Sequence, residues 1–506
     1  MYLKTAFLSV NKNRIAIVAL LLSFFVVSQA SAQQSPQQKK KPNILLIYID
    51  DLGYSDIHCY GKGYEASFIE TPNIDAFAAQ GMKFNQGYAA APLCSPSRAA
   101  LLTGKTPARL NFEFVTKYEK DTLGWDNPEW KAKYKGLKLL PPPYTLNLPL
   151  QEVTIAEAMK EQGYYTGIVG KWHVAAHAKG QYNIWGSAYG PSKQGFDWAQ
   201  EAFGEFGKAN KPENASLKKN EYGMDELTDQ GISFLNKDQK KPFFLFVSHY
   251  FVHTPLDSTK KWLIDKYKKK ATHGESKELI NYAATVETMD HYVGKLLKAL
   301  DASGQAENTL VIFTSDNGGH PEFAFNRPFR GSKWNLYEGG TRIPMIMRWP
   351  GVIAKGTESE VPVVQTDFMP TFRALAGAKT PLKDPIDGVS FLPVLYGKKI
   401  DEQSQRPLIW HFPYYHPEMK AYQKAKSKIG KEDGYISQTK PQSAIRQGDF
   451  KLMYFYENEN VELYNLKDDP SELNDLSGKM PEQALKLKNT LLTQLKSVNA
   501  RLPRKQ

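Results

Sequence analysis

The sequence predicts an α/β fold: a large layered domain followed by a smaller α+β domain on an antiparallel sheet. Three observations carry that expectation. Strand-length runs that are apolar at nearly every position recur between residues 43 and 348, and helix-period stretches lie between them. Beyond about residue 380 the pattern gives way to turn-rich sequence and a hairpin signal. Strands that read as buried on both faces, alternating with helices, belong to a sheet covered by helical layers.

Residues 1–32 read as a signal peptide outside the fold. Lys4, Lys12 and Arg14 form a basic head, Ile15–Val27 is an apolar run short for a membrane span, and Ala30-Ser31-Ala32 is a small-residue cleavage site. Residues 33–41 read as a linker, 42–382 as the catalytic domain and 383–506 as a C-terminal subdomain. The first strand is Asn43–Asp50, and further apolar runs cover Tyr165–Val169, Phe243–Ser248, Thr309–Thr314 and Ile343–Arg348. Ile74–Gln80 reads as a helix ending at Gly81, and Thr154 caps a helix that ends at Gly163. Over Asn281–Ser303 the residues Tyr282, Val286, Met289, Val293, Leu296 and Leu300 form one buried stripe. Residues 105–150 have few periodic signals and read as a long ordered loop near a site. Near the end, Ser443–Arg446 and Lys451–Tyr456 flank a Gln447-Gly448-Asp449 turn, Val461–Leu466 adds a strand, and Pro481–Val498 reads as an amphipathic helix.

Charge and cysteine content narrow the function. Removing residues 1–32 with their three basic residues lowers the net charge from +12 to +9. A basic surface favours polyanions, among them sulfated polysaccharide, nucleic acid and anionic lipid. Solvated helix ends explain runs such as Lys268-Lys269-Lys270 equally well. Cys59 and Cys94 are the only cysteines. In an exported chain they pair by default, and chemical conversion of Cys94 excludes that pair.

The chemistry collects at strand ends. In open α/β sheets, ligands bind outside the carboxyl ends of the strands. The first strand ends in Asp50-Asp51, and the 309–314 strand leads into Ser315-Asp316-Asn317-Gly318-Gly319. Three carboxylates and an amide oxygen form a hard ligand set suited to Ca²⁺ or Mg²⁺. Taken singly, Asp-Asp is often a helix cap and Asp-Asn-Gly a turn. Cys94-Ser-Pro-Ser-Arg98-Ala-Ala-Leu-Leu-Thr-Gly104 reads as a helix with Pro96 in its first turn and Gly104 ending it. Cys94 then sits at the positive end of the helix dipole, with Arg98 one turn on. A buried structural cysteine beside a capped helix is the competing reading.

Cys-x-Pro-x-Arg followed by Ala-Ala-Leu-Leu-Thr-Gly resembles the signature of the type I, formylglycine-dependent sulfatases, arylsulfatase-like members of the alkaline phosphatase superfamily. The resemblance runs from Lys41 to about Leu476. It includes Lys171-Trp172-His173, His253 in His-Thr-Pro, and Lys333 in Gly331-Ser-Lys-Trp-Asn-Leu-Tyr-Glu-Gly-Gly340. The Ala444-Ile-Arg-Gln-Gly-Asp-Phe-Lys-Leu452 stretch is also similar to the family's closing sheet.

The resemblance implies an alkaline-phosphatase-like large mixed sheet sandwiched by helices, with a small C-terminal antiparallel sheet. It implies that a sulfatase-maturating enzyme oxidises Cys94 to Cα-formylglycine, whose hydrate supplies the nucleophile. Asp50, Asp51, Asp316 and Asn317, together with the hydrated residue 94, are then the ligands of Ca²⁺, with Mg²⁺ as the alternative. Arg98, Lys171 and Lys333 supply fixed positive charge, His253 protonates the leaving oxygen, and His173 accepts a proton from the second hydroxyl so that sulfate departs. Export, the basic balance and the aromatic-rich loops favour a sulfated carbohydrate rather than nucleic acid as substrate, met in the periplasm or outside the cell, with no stable membrane insertion after signal cleavage. Trp185, His177, Trp334, Arg327, Arg330, His320, His411 and His416 are candidate sugar contacts. The competing functions are a phosphodiesterase or phosphonate monoester hydrolase on the same fold, and a catalytically silent glycan-binding protein with a Cys59–Cys94 disulfide.

Overall fold

Strand β1, Asn43–Ile49, is buried at every position, and its alternate residues face opposite ways. Leu45, Ile47 and Ile49 join one apolar cluster, while Ile44, Leu46 and Tyr48 join another. A strand that buries both faces needs a helical layer on each side. On the first side lie α1 (Pro72–Ala79), α4 (Glu226–Leu235) and α5 (Lys277–Ala302). On the second lie α2 (Cys94–Thr103), α3 (Ile155–Glu161) and α6 (Phe368–Leu375). A computed structural model describes residues 40–118, 120, 123–178, 185–203, 217–237, 240–256, 260–398, 400, 405–416 and 439–506.

The remaining strands of the large sheet are β2 (Met82–Phe84), β5 (Tyr165–Gly170), β6 (Trp198–Gln200), β7 (Phe243–Ser248), β8 (Thr309–Ser315), β9 (Met345–Arg348) and β10 (Thr357–Ser359). Their order is β10-β2-β9-β8-β1-β7-β5-β6. β1 pairs in parallel with both β7 and β8, whereas β9 runs antiparallel to β8 and to β2. The sheet is therefore mixed, as expected. The short strands β3 (Gly87–Tyr88) and β11 (Val363–Val364) form a separate pair, and β4 (Leu139–Leu140) pairs with β16 (Arg504–Lys505).

The turn-rich C-terminal region supplies a second sheet, β12-β13-β14-β15, antiparallel throughout. Its strands are Leu408–Phe412, Gln442–Gln447, Phe450–Phe455 and Val461–Asn465. Gly448, at φ +61°, makes the turn of the expected hairpin. One face of this sheet packs Trp410, Phe412, Ala444 and Met453 against Tyr88, Phe114 and Tyr337. The other packs Ile445, Leu452 and Leu463 under α7 (Pro481–Ser497) through Leu487, Leu491 and Leu495. Pro42–Gln506 forms one compact unit.

Helix ends follow local chemistry. Thr154 caps α3 by accepting the Glu157 amide at 3.2 Å, while the Glu157 carboxylate accepts the Thr154 amide at 2.8 Å. α5 begins four residues before the expected start at Asn281, because Ser276 accepts the Leu279 amide. α1 stops at Ala79, with Gln80 as its cap. The expected loop over residues 105–150 contains two short helices, Pro107–Leu110 and Pro128–Lys133, as well as β4. The expected signal peptide and most of the expected linker lie outside the described residues. Among those described, no helix is long and apolar enough to cross a membrane.

Candidate active site

Because β1 and β8 run parallel with Ile49 opposite Ser315, the polar residues that follow them leave the same sheet edge. Asp50, Asp51, Asp316 and Asn317 are all buried there. Asp51 adopts φ +62°, uncommon for a residue with a side chain. Its amide donates to Asp316 Oδ1 at 3.0 Å, and Asn317 Nδ2 donates to Asp51 Oδ1 at 2.8 Å. These bonds join the two strand ends into one constellation.

Cys94 is the first residue of α2, following Leu93 in extended conformation. Its thiol is almost wholly buried, and its sulfur lies in one group with carboxylate oxygens of Asp50 and Asp316, all within 4.8 Å of one another. Burial pushes the thiol's pKa up, against the pull of Lys171. Arg98, one turn along, donates from Nη2 to Asp316 Oδ2 at 2.9 Å and from Nη1 to Ser248 Oγ at 2.6 Å and Lys171 O at 3.2 Å. Its guanidinium lies 5.1 Å from the centre of the Tyr48 ring. Both terminal nitrogens of Arg98 are thus spent on holding protein groups in place.

Lys171 and His173 leave the end of β5 beside β7. Lys171 Nζ donates to Asp50 Oδ2. His173 has φ +56°, and its ring stacks on His177 at 5.5 Å. Burial, with the charge of Lys171, lowers the His173 pKa well below the ordinary histidine value. His253 follows β7 and places Nε2 3.6 Å from Asp51 Oδ2, with Nδ1 2.7 Å from Thr254 O. Lys333 arrives from the 329–341 loop, donating from Nζ to Asp51 Oδ2 at 2.6 Å. All ten predicted site residues therefore meet at one edge of the sheet.

The electrostatics call for one more positive charge. Burial alone would raise the Asp50 carboxyl, but Lys171, His253 and Arg98 outweigh it and hold Asp50 far below the usual range. Burial, with the nearby Asp50 charge, pushes Asp316 up to about 8. Asp50 Oδ1 and Asn317 Oδ1 are buried and accept no hydrogen bond among the described residues. Bare, hard oxygen atoms around clustered carboxylates fit a divalent cation such as Ca²⁺.

Three supporting residues carry no motif. Ser248 bridges Arg98 to the Lys171 carbonyl, donating to the latter at 2.6 Å. Gln365 Nε2 donates to Tyr48 Oη, Ser315 O and Asp316 O, while its Oε1 accepts the Ala90 amide. Only the position of Ser248, the polar end of an apolar strand, signals it in the sequence.

The candidate sugar contacts divide. The Trp334 and His416 rings lie 4.8 Å apart, tilted at 57°, beside Lys333, whose charge, after burial, lowers the pKa of His320 to about 3 and of His416 to about 4. His177 bonds Thr116 Oγ1 at 2.9 Å. His411 and Arg330 instead serve packing. His411 is buried between Ser443 Oγ and Arg501 O, and Arg330 donates to Tyr464 Oη and Glu472 O. Cys59 and Cys94 are not joined, so the disulfide of the silent-binder reading is absent.

The chain belongs to the sulfatase family, whose model matches residues 42–378. It is a sulfuric ester hydrolase on an alkaline-phosphatase-superfamily fold. A second model, described as N-sulphoglucosamine sulphohydrolase, C-terminal, matches residues 331–501. The chain is 32% identical to a sulfatase of Formosa agariphila, over 91% of this chain and 90% of the relative. It is also 32% identical to the steryl-sulfatase of Rattus norvegicus, over 76% of this chain and 75% of the relative. Among solved structures it is similar to Ps i-CgsB, solved in complex with k-i-k-neocarrahexaose. That likeness has 27% identity, a TM-score of 0.69, and covers 90% of this chain and 93% of the other.

Proposed function

We propose that the protein removes sulfate from sulfated carbohydrates, using residue 94 as formylglycine and a Ca²⁺ ion held by Asp50, Asp51, Asp316 and Asn317. The observation that carries this reading is the position of Cys94, at a helix start among two carboxylates and near two lysines. A thiol is a soft ligand, mismatched to a hard oxygen set. Conversion to a hydrated aldehyde places oxygen there instead. A cation held by Asp50, Asp51, Asp316 and Asn317 would supply Lewis-acid polarisation to the site, and the second hydroxyl of the hydrate would permit release of sulfate.

The chain's own residues do the rest. Lys171 and Lys333 offer fixed positive charge to sulfate oxygens, each already anchored on a carboxylate. Loss of such a contact costs about 3 kcal/mol in the barrier, or roughly a hundredfold in rate. Arg98 adds charge and orders Asp316 and the Lys171 backbone. His253, 30% exposed at the rim, protonates the leaving oxygen. His173, whose Nδ1 has no hydrogen-bond partner among the described residues, accepts the proton that frees sulfate. Every reacting group falls in the proposed catalytic domain, residues 42–382, with 383–506 as its support.

A carbohydrate substrate is supported by the neocarrahexaose bound to Ps i-CgsB and by the basic balance of the chain. Export to the periplasm or beyond is supported by the basic head, apolar run and Ala30-Ser31-Ala32 of residues 1–32.

Matched aryl sulfate and aryl phosphate esters, followed by a panel of sulfated oligosaccharides and a steryl sulfate, test the reading. Sulfate is expected to be preferred by about a hundredfold or more in kcat/KM, with release from at least one oligosaccharide. Faster phosphate turnover would overturn the reaction class. Release from the steryl ester alone would overturn the carbohydrate assignment.

A further inference from the structure

Lys451, Glu338 and Glu472 are each 0% exposed, yet all are ionisable. Lys451 Nζ, on β14, lies 2.9 Å from Glu338 Oε1 and 2.9 Å from Glu472 Oε1. The Glu338 amide donates to Glu472 Oε2 at 2.6 Å. Glu338 Oε2 accepts from Tyr88 Oη at 2.6 Å and from Arg342 at 3.3 Å. Burying such a cluster is a poor source of stability, because apolar residues of similar volume usually do as well or better. What directional charged bonds supply, and apolar packing does not, is a fixed register.

The element whose register they fix is the loop that carries Lys333. Glu338 begins the helical turn Glu338–Thr341 at the end of that loop, and Lys333 lies five residues before it. The loop meets the C-terminal region at further points: the Leu336 amide donates to Gln442 Oε1, Tyr337 Oη to Glu462, and Arg330 to Tyr464. On its other side the Lys333 amide donates to Gly319 O, and Gly318 to Gly340 O, both at 3.0 Å. The loop is thus clamped between the exit of β8 and the C-terminal sheet, with Lys333 reaching Asp51 from between them.

We propose that Lys451 is a positioning residue for the sulfatase reaction: through Glu338 and Glu472 it holds the 329–341 loop at the height that delivers Lys333 to Asp51. This rests on the reading of Lys333 as a catalytic group. A displacement of about 1 Å in such a group costs on the order of a hundredfold in rate.

A double-mutant cycle tests it, with aryl sulfate turnover and melting temperature as readouts. Lys451→Met and Lys333→Met are made singly and together. Glu472→Gln runs in the same cycle, since it keeps an acceptor for the Glu338 amide, removes one charge, and carries the test if Lys451→Met fails to fold. Lys451→Met, or Glu472→Gln in its place, is expected to lower kcat by about thirtyfold in the native background. In the Lys333→Met background the same change is expected to lower it less than about threefold, because the group being positioned is gone. Equal losses in both backgrounds, or no loss in either, would overturn the inference. Full activity in Lys333→Met alone would instead overturn the reading of Lys333, and the inference with it.

Discussion

Asp316 ties the end of β1 to α2. It accepts the Asp51 amide and the Arg98 guanidinium, and its carboxylate lies near Asp50 and Cys94. Asp316→Asn preserves shape while removing one of three carboxyl groups. It is expected to lower calcium content at fixed free calcium and to reduce turnover by about a hundredfold or more. Calcium retained at the native stoichiometry, measured by atomic emission, would contradict a ligand role. The acidic pairs, Cys94, Lys171 and Lys333 are legible in the sequence because each combines reactive chemistry with a strand end, a helix start or a motif. Gln365 and Tyr48 are not, and Ser248 shows only as the polar end of an apolar strand. Serine, glutamine and tyrosine occur everywhere, and these three acquire their roles only through partners as many as 317 positions away. The buried Lys451–Glu338–Glu472 cluster was invisible for the same reason, since charged residues in a sequence read as surface.

At the scale of elements, legibility follows length. β1, β7 and β8 are six or seven residues long with largely apolar runs, and those runs identify them. β2, β6 and β10 have three residues each, too few to establish a period, and none is apparent before the structure. Loop contacts also depend on close approach that sequence spacing does not encode. A Cβ built on Gly318 would fall 1.9 Å from the Gly339 carbonyl oxygen, so the exit of β8 and the Lys333 loop touch through bare backbone. Gly318→Ala must push them apart. The expected result is a loss of about a hundredfold in kcat/KM with the sheet intact by circular dichroism. Undiminished activity would show that this contact does not set the site.

The whole molecule assembles its site from distant parts of the chain: residues 50–51, 94–98, 171–173, 253, 316–317 and 333. The strand order that brings them together, with β1 central between β7 and β8, rests on β1 pairings 200 or more residues apart. Periodicity announces strands but not their neighbours, so the order is not legible in the sequence; the family resemblance implies only a large mixed sheet between helices. The C-terminal sheet was legible as a hairpin and a helix, while its grip on the Lys333 loop was not. In this architecture the large sheet gathers acidic strand ends, the α2 start presents residue 94 to them, and the C-terminal sheet braces the loop opposite. The account requires residue 94 to carry an aldehyde. Mass spectrometry of the peptide spanning residue 94, from active protein matured in a host with its maturating enzyme, tests this most directly. The predicted spectrum shows an aldehyde in place of the thiol, reactive toward a hydrazide probe. An unmodified cysteine in protein that turns over sulfate esters would contradict the account.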